Sequence, residues 1–175
     1  ARPIMPPTTP AHSCRRAASY PYSERMSKPT LSKNTTRIWK QAISVDIINA
    51  TSANTAVAHL GIEILEVGDD FIRGRVPVDA RTVQPYGLLH GGVSVTLAET
   101  LGSCGAAFSV PEGQRVVGLD INANHLKGTT SGWVTGTARP VHLSRTTQVW
   151  QIDLHNDAGE LTCVSRLTMA VLEPR

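Results

Sequence analysis

Cysteine, aromatic residues and long apolar runs are all scarce in this 175-residue chain, and each scarcity closes off a class of protein. The three cysteines, Cys14, Cys104 and Cys163, form no CxxC pair, and an odd count fits no closed disulfide framework. A reducing, cytoplasmic setting is therefore expected. The histidines His59, His90, His125, His142 and His155 show no HxxxH or comparable ligand spacing, so no metal site and no cofactor are expected. There is no G-x-S-x-G elbow for a serine hydrolase, and GLLHGG lacks the GxGxxG and GxxxxGK[ST] spacings that cradle phosphates. The one weakly polar stretch of any length, Leu88 to Val110, contains His90 and Glu99. An ionised carboxylate near a bilayer centre is costly, so no membrane span is expected.

Charge is unevenly spread. Residues 1–40 carry eight basic side chains and one acid, a net +7, whereas the remaining 135 carry nine basic and thirteen acidic, a net −4. A basic excess confined to one end does not make a basic face on the folded part, and no nucleic-acid partner is expected. Residues 1–37 are rich in Pro, Ser, Thr and Arg and have neither helical nor strand periodicity, so they are expected to form a disordered extension. Their acid-poor, Arg- and Ser-containing character fits a transit peptide. Met26 equally offers an internal start.

From residue 38 onward a single domain is expected. Ser44 followed by VDIINA predicts an N-capped short helix, and LGIEILEV and FIRGRVPV predict two hairpin strands about Gly68-Asp69-Asp70. Pro85 and Gly87 make VDARTVQPYG a loop. The run from Leu88 to Val110 is too long for a strand and predicts a helix. QRVVGLDINANHL, SGWVTGTARPVHL, TTQVWQIDLHN and ELTCVSRLTMAVL predict four strands in an antiparallel meander, the last two joined at Asp157-Ala158-Gly159. The fold class is α+β. A helix this apolar is expected to be wrapped by the sheet.

Two features of the long helix could carry chemistry. Glu99 is the only carboxylate between Asp79 and Glu112, with Ser103 one turn further on the same face. It reads either as a catalytic base or nucleophile, desolvated for that purpose, or as a structural residue bonded to a loop or facing water. At the helix start, His90-Gly91-Gly92 could present unpaired N–H groups to a developing oxyanion, or could simply shape a tight turn. Gly91 and Glu99 are eight residues apart, roughly 12 Å along a helix at 1.5 Å per residue. One reacting carbonyl cannot touch both in one chain, so a shared site requires two subunits with antiparallel helices. Trp39, Trp133 and Trp150 are expected to be packing residues and Cys104 a buried thiol.

QPYGLLHGGVSVTLAETLGS, with PVDART before it and VVGLDINANH after it, resembles the hotdog-fold acyl-CoA thioesterases of the Arthrobacter 4-hydroxybenzoyl-CoA thioesterase type. Within that family the likeness is strongest to the thioesterases of enterobactin proofreading and of 1,4-dihydroxy-2-naphthoyl-CoA hydrolysis, and it runs from Ile38-Trp39-Lys40 to about Leu172. The resemblance implies a long central helix wrapped by an antiparallel sheet, and homodimers, usually paired into homotetramers, that hydrolyse acyl-CoA or acyl- or aryl-carrier-protein thioesters, with aromatic acyl groups expected. It assigns Glu99 as the catalytic carboxylate and Gly91 as the N–H donor to the thioester oxygen. Gln84 and His90 position thioester and water, and Ser103 and His125 lie on the acyl or leaving-group side. Pantetheine and nucleotide contacts would fall at Gly118, at His125, Leu126, Lys127 and Gly128, and at His142, Leu143, Ser144, Arg145, Thr146 and Thr147. Relatives usually carry Gly where this chain has Ser144 and a larger aliphatic side chain where it has Cys104, which implies a roomier acyl pocket. A non-catalytic acyl-CoA-binding module would share the fold without needing the carboxylate. An acyl-thioester hydratase or dehydratase would need a His and acid pattern that this chain does not offer.

Overall fold

A computed structural model describes residues 37–174; the expected disordered extension therefore lies outside the described residues except for Arg37. Two short helices, α1 (Val45–Thr51) and α2 (Ala56–His59), precede β1 (Glu63–Val67) and β2 (Ile72–Pro77). The long helix α3 (Gly91–Phe108) follows, then β3 (Arg115–His125), β4 (Trp133–Leu143), β5 (Thr147–Asn156) and β6 (Leu161–Leu172). Ser44 caps α1 as its sequence position predicts, its Oγ accepting the Ile47 N–H at 3.2 Å. His59 closes α2, a single helical turn too short to leave a periodic signal in the sequence.

The six strands form one antiparallel sheet in the order β1-β2-β4-β5-β6-β3. This corrects the expected meander: β4, β5 and β6 are consecutive neighbours, but β3 leaves α3 to pair with β6 along the far edge. Alternation within a strand records which side chains face the core, and says nothing about which strand lies beside it.

Helix α3 lies on one face of the sheet through its small residues. A Cβ on Gly105 would sit 2.6 Å from two ring carbons of Trp150, and one on Gly102 would sit 2.6 Å from Leu167 Cδ2. Gly74 and Gly136 are register partners on β2 and β4 and leave a hollow for Leu101, whose methyls lie 2.9 and 2.8 Å from their absent Cβ positions. Glycine weakens helices and strands alike, and here that cost is offset by close helix-to-sheet packing. Leu97, Leu101, Trp150, Ile152, Leu154 and Val134 are buried around this contact. Trp39 is also buried, its indole N–H donating to the Gly68 carbonyl at 2.7 Å, while Trp133 is half-buried with Arg75 stacked 3.8 Å from its ring. At the C-terminal end of α3, Ser109 Oγ donates to Gln148 Oε1 at 3.2 Å, and Gln41 Nε2 donates to the carbonyls of Ala107 and Val110.

The antiparallel sheet wraps α3 along one side, as expected, and leaves its opposite face open in the single chain. Gly92 and Glu99 are exposed and Val95, Thr96 and Ser103 only half-buried, because one sheet covers one face of a helix and the chain supplies only a short helical segment near the other. No described helix is long and apolar enough to cross a membrane.

Candidate active site

The N-terminus of α3 is held by the loop before it. Thr82 Oγ1 donates to the Pro77 carbonyl at 2.7 Å, the Thr82 carbonyl accepts the His90 N–H at 2.8 Å, and the Leu89 N–H donates to the Thr129 carbonyl at 2.8 Å. His90 is the N-cap. Its Nδ1 accepts the Gly92 N–H at 2.9 Å and its carbonyl accepts the Val93 and Ser94 N–H groups. An accepting Nδ1 places the neutral imidazole's proton on Nε2, which leaves a second donor at the helix tip. Gly92 is therefore not free, as the sequence allowed. The Gly91 N–H alone has no bond among the described residues, and it sits where the helix dipole favours negative charge.

Gly91 owes its identity to a neighbouring side chain. A Cβ there would lie 2.9 Å from His125 Nε2, so the imidazole at the end of β3 rests on the Gly91 backbone. Gln84 folds over the same loop, its Oε1 accepting the Tyr86 N–H, which leaves its Nε2 available as a donor. These groups line a cavity of about 340 Å³ that includes Gln84, Gly91, His125, Lys127, Gly128 and Thr129.

Glu99 opens onto a different cavity of about 370 Å³, with Val57, Thr96, Thr100, Ser103 and Cys104 in its walls. The two cavities share no residue. The carboxylate reaches toward β3, where an added Cβ on Gly118 would meet Glu99 Oε1 at 3.5 Å. Gly118 therefore lies beside Glu99. Glu99 is exposed in the single chain, so this chain's own fold does not desolvate its carboxylate. Ser103 Oγ lies 3.9 Å from Met169 Sδ, and Cys104 is a half-buried thiol whose pKa burial pushes up to about 11.

The expected pantetheine and nucleotide contacts separate in the same way. His125, Leu126, Lys127 and Gly128 border the cavity at the start of α3, where Lys127 is ion-paired to Glu160 at 2.5 Å. That pair holds the exposed Glu160 carboxyl below its ordinary range, mainly through the Lys127 hydrogen bond. The stretch from His142 to Thr147 forms the β4–β5 turn, closed by Ser144 Oγ donating to the Thr147 carbonyl at 2.8 Å and by the Thr146 carbonyl accepting the Val171 N–H. Leu143, Ser144 and Arg145 line a third cavity of about 500 Å³ near the C-terminal end of α3, together with Arg37 and Lys40. Arg145 pairs with Glu173 at 3.2 Å. The sequence reading missed Arg37, Lys40, Val57 and Thr129 as lining residues. None stands in a motif, and only the fold brings them to a cavity.

Outside the site, the eleven-residue β3 pairs among the described residues with β6 alone, which leaves its other edge open there, and it exposes Val117 at 44% and Leu119 at 63%. Such an edge is a template for a further strand.

Comparison with known proteins agrees with the resemblance read from the sequence. The family model for the thioesterase superfamily matches residues 86–163. The chain is 47% identical to the proofreading thioesterase EntH of Cronobacter turicensis over 135 residues, 77% of this chain and 98% of that protein. A thioesterase from Haemophilus influenzae superposes with a TM-score of 0.76 at 52% identity, over 78% of this chain and 95% of the other. A mutant thioesterase from Pseudomonas aeruginosa superposes with a TM-score of 0.76 at 46% identity, covering 77% and 98%.

Proposed function

The chain belongs to the thioesterase superfamily, and from that premise we propose that it hydrolyses acyl-CoA or acyl-carrier-protein thioesters, with aromatic acyl groups preferred, at sites shared between two copies of the chain. The observation that carries this reading is the unbonded Gly91 N–H at the tip of α3, with Glu99 eight residues further on and opening onto a separate cavity. The hotdog arrangement of one helix on one sheet explains why they separate. The helix is straight, so its tip and its middle cannot meet around one carbonyl. A two-fold axis that pairs the β3 edges and sets two α3 helices antiparallel would bring each Gly91 toward the partner subunit's Glu99, desolvating a carboxylate that a single chain leaves in water. Further pairing of such dimers into tetramers follows the family resemblance.

In this site the thioester oxygen accepts the Gly91 N–H, and the helix dipole and the Nε2–H of His90 stabilise the charge that develops on it. Gln84 and His125 hold the thioester. Glu99 either attacks the carbonyl carbon or takes a proton from a water that does. The C–S bond then breaks and the thiolate takes a proton and leaves as the free thiol; on the water route the acid forms at once, and on the direct route an acyl-Glu99 anhydride forms that a water hydrolyses to the acid and the regenerated Glu99 carboxylate. The 142–147 turn with Arg37, Lys40 and Arg145 suits the phosphate-bearing end of the substrate. The free thiols Cys104 and Cys163 suit a reducing, cytoplasmic setting.

Kinship with a protein named a proofreading thioesterase supports keeping carrier-borne thioesters beside acyl-CoA. Thiol release from a panel of aliphatic and aromatic acyl-CoAs tests the reading. Release from aromatic esters is the expected result; tight CoA binding without release from any ester would favour a binding module. A single turnover in oxygen-labelled water separates the two routes, since label appearing first in the Glu99 carboxylate excludes simple general-base hydrolysis.

A further inference from the structure

Among the described residues, the fully buried side-chain nitrogen and oxygen atoms have hydrogen-bond partners, with one exception. Thr82 Oγ1 donates to Pro77, Thr162 Oγ1 to Leu154, Ser165 Oγ to Asn122 and Ser109 Oγ to Ala106, while Gln148 Oε1 accepts from Trp150 and Ser109. Thr129 is 8% exposed and its Oγ1 is the only fully buried side-chain N or O among the described residues that has no hydrogen-bond partner. A buried orphan hydroxyl is unfavourable, and native proteins rarely keep one without a use. Thr129 is a wall residue of the cavity that also holds Gly91 and Gln84, with its hydroxyl packed just behind that wall, and it borders a neighbouring cavity with Lys127 and Gly128. Its backbone carbonyl accepts the Leu89 N–H, so the residue is fixed beside the helix tip.

We infer that the Thr129 hydroxyl is a substrate-binding group that hydrogen-bonds an amide of the pantetheine-like arm next to the thioester. The inference rests on the proposed thioesterase reading. The two cavities divide the substrate by polarity. Val57 and Cys104 border the Glu99 cavity, which suits an acyl group, whereas Gln84, His125, Lys127, Thr129 and Thr162 give the helix-tip cavity the polar lining that an amide-bearing arm requires. A threonine hydroxyl both donates and accepts, so it can meet either an amide N–H or an amide carbonyl. The arrangement also explains why an isosteric valine does not occupy the position, since valine would suit the free fold better. An enzyme that uses the hydroxyl only when substrate arrives keeps the cost in the free state and recovers it on binding.

The test compares Thr129→Val and Thr129→Ser with the wild type on one acyl group, presented as its CoA ester and as its S-ethyl ester, which has no amide in the leaving group. Thr129→Val is expected to lower kcat/KM for the CoA ester and the affinity for free CoA by about tenfold, a typical loss for one neutral hydrogen bond. It should leave the S-ethyl ester unchanged and keep or raise the Tm, and Thr129→Ser should restore the CoA ester. A lowered Tm with unchanged kinetics would overturn the inference, because the hydroxyl would then be bonded within the fold, to a trapped water or across a subunit contact. Equal losses on both esters would also overturn it by moving the bond to the acyl side. A wild type that hydrolyses no thioester would refute the preceding reading, and CoA affinity alone would then decide the role of Thr129.

Discussion

Replacing Gly91 by proline removes the N–H on which the proposed chemistry depends and leaves the helix start otherwise intact. Gly91 is the first residue of α3 and has no positive φ, and the first helical position is where proline is best tolerated. His90 before it has φ −65° and ψ 131°, the extended conformation that a following proline requires. No protein hydrogen bond is lost, because the Gly91 N–H makes none among the described residues. A new Cβ would press on His125 Nε2 from 2.9 Å, but Gly91→Ala brings the same Cβ while keeping the N–H, so alanine isolates the steric effect. Removing one oxyanion-hole donor typically lowers kcat by 10²–10³-fold, about 2.7–4 kcal/mol of transition-state stabilisation. Gly91→Pro is therefore expected to fall below Gly91→Ala in kcat by roughly that factor, with similar KM and similar thermal stability. Equal kcat values for the two variants would refute the backbone-donor assignment.

Three further outcomes follow from the packing. Gly105→Ala places a methyl 2.6 Å from the buried Trp150 ring, and an overpacking cost of about 1–3 kcal/mol, less about 1 kcal/mol of helix propensity, should lower the urea midpoint. Leu119→Arg adds a charge to the unpaired β3 edge and should shift sedimentation toward the monomer and abolish turnover together; an active monomer would contradict the shared site. In a Cys14→Ser background, the raised thiol pKa values keep Cys104 and Cys163 protonated at neutral pH, so iodoacetamide labelling at pH 8 should be about 100-fold slower for Cys104 than for an unperturbed thiol, and should accelerate only as pH rises toward 11.

Local features of this fold were readable because their causes are local. Ser44 announces α1, Gly68-Asp69-Asp70 the first hairpin and Gly159, at φ +76°, the last, and the Leu88–Val110 run could only be a helix. The pairing of β3 with β6 was not readable, since nothing within Arg115–His125 encodes its neighbour. The glycines had two hidden reasons. Gly91 accommodates the imidazole of His125, and Gly74 with Gly136 accommodates Leu101, and both depend on residues distant in sequence. The 12 Å argument separated Gly91 from Glu99 correctly because helix rise is fixed by backbone geometry, and the two groups do open onto different cavities. The sequence left the exposure of Glu99 open, since an apolar helix gives no sign of whether its second face meets its own sheet or another copy.

Subunit mixing measures the shared site most directly. Glu99→Gln and Gly91→Pro proteins, each nearly inactive alone, are combined, unfolded and refolded together so that subunits exchange. Every mixed dimer would then hold one site with both lesions and one with an intact Gly91 facing an intact Glu99, so random assembly restores about one quarter of wild-type activity. Activity that stays at the level of the separate variants, with mixed dimers present by mass spectrometry, would mean that both groups act within one chain.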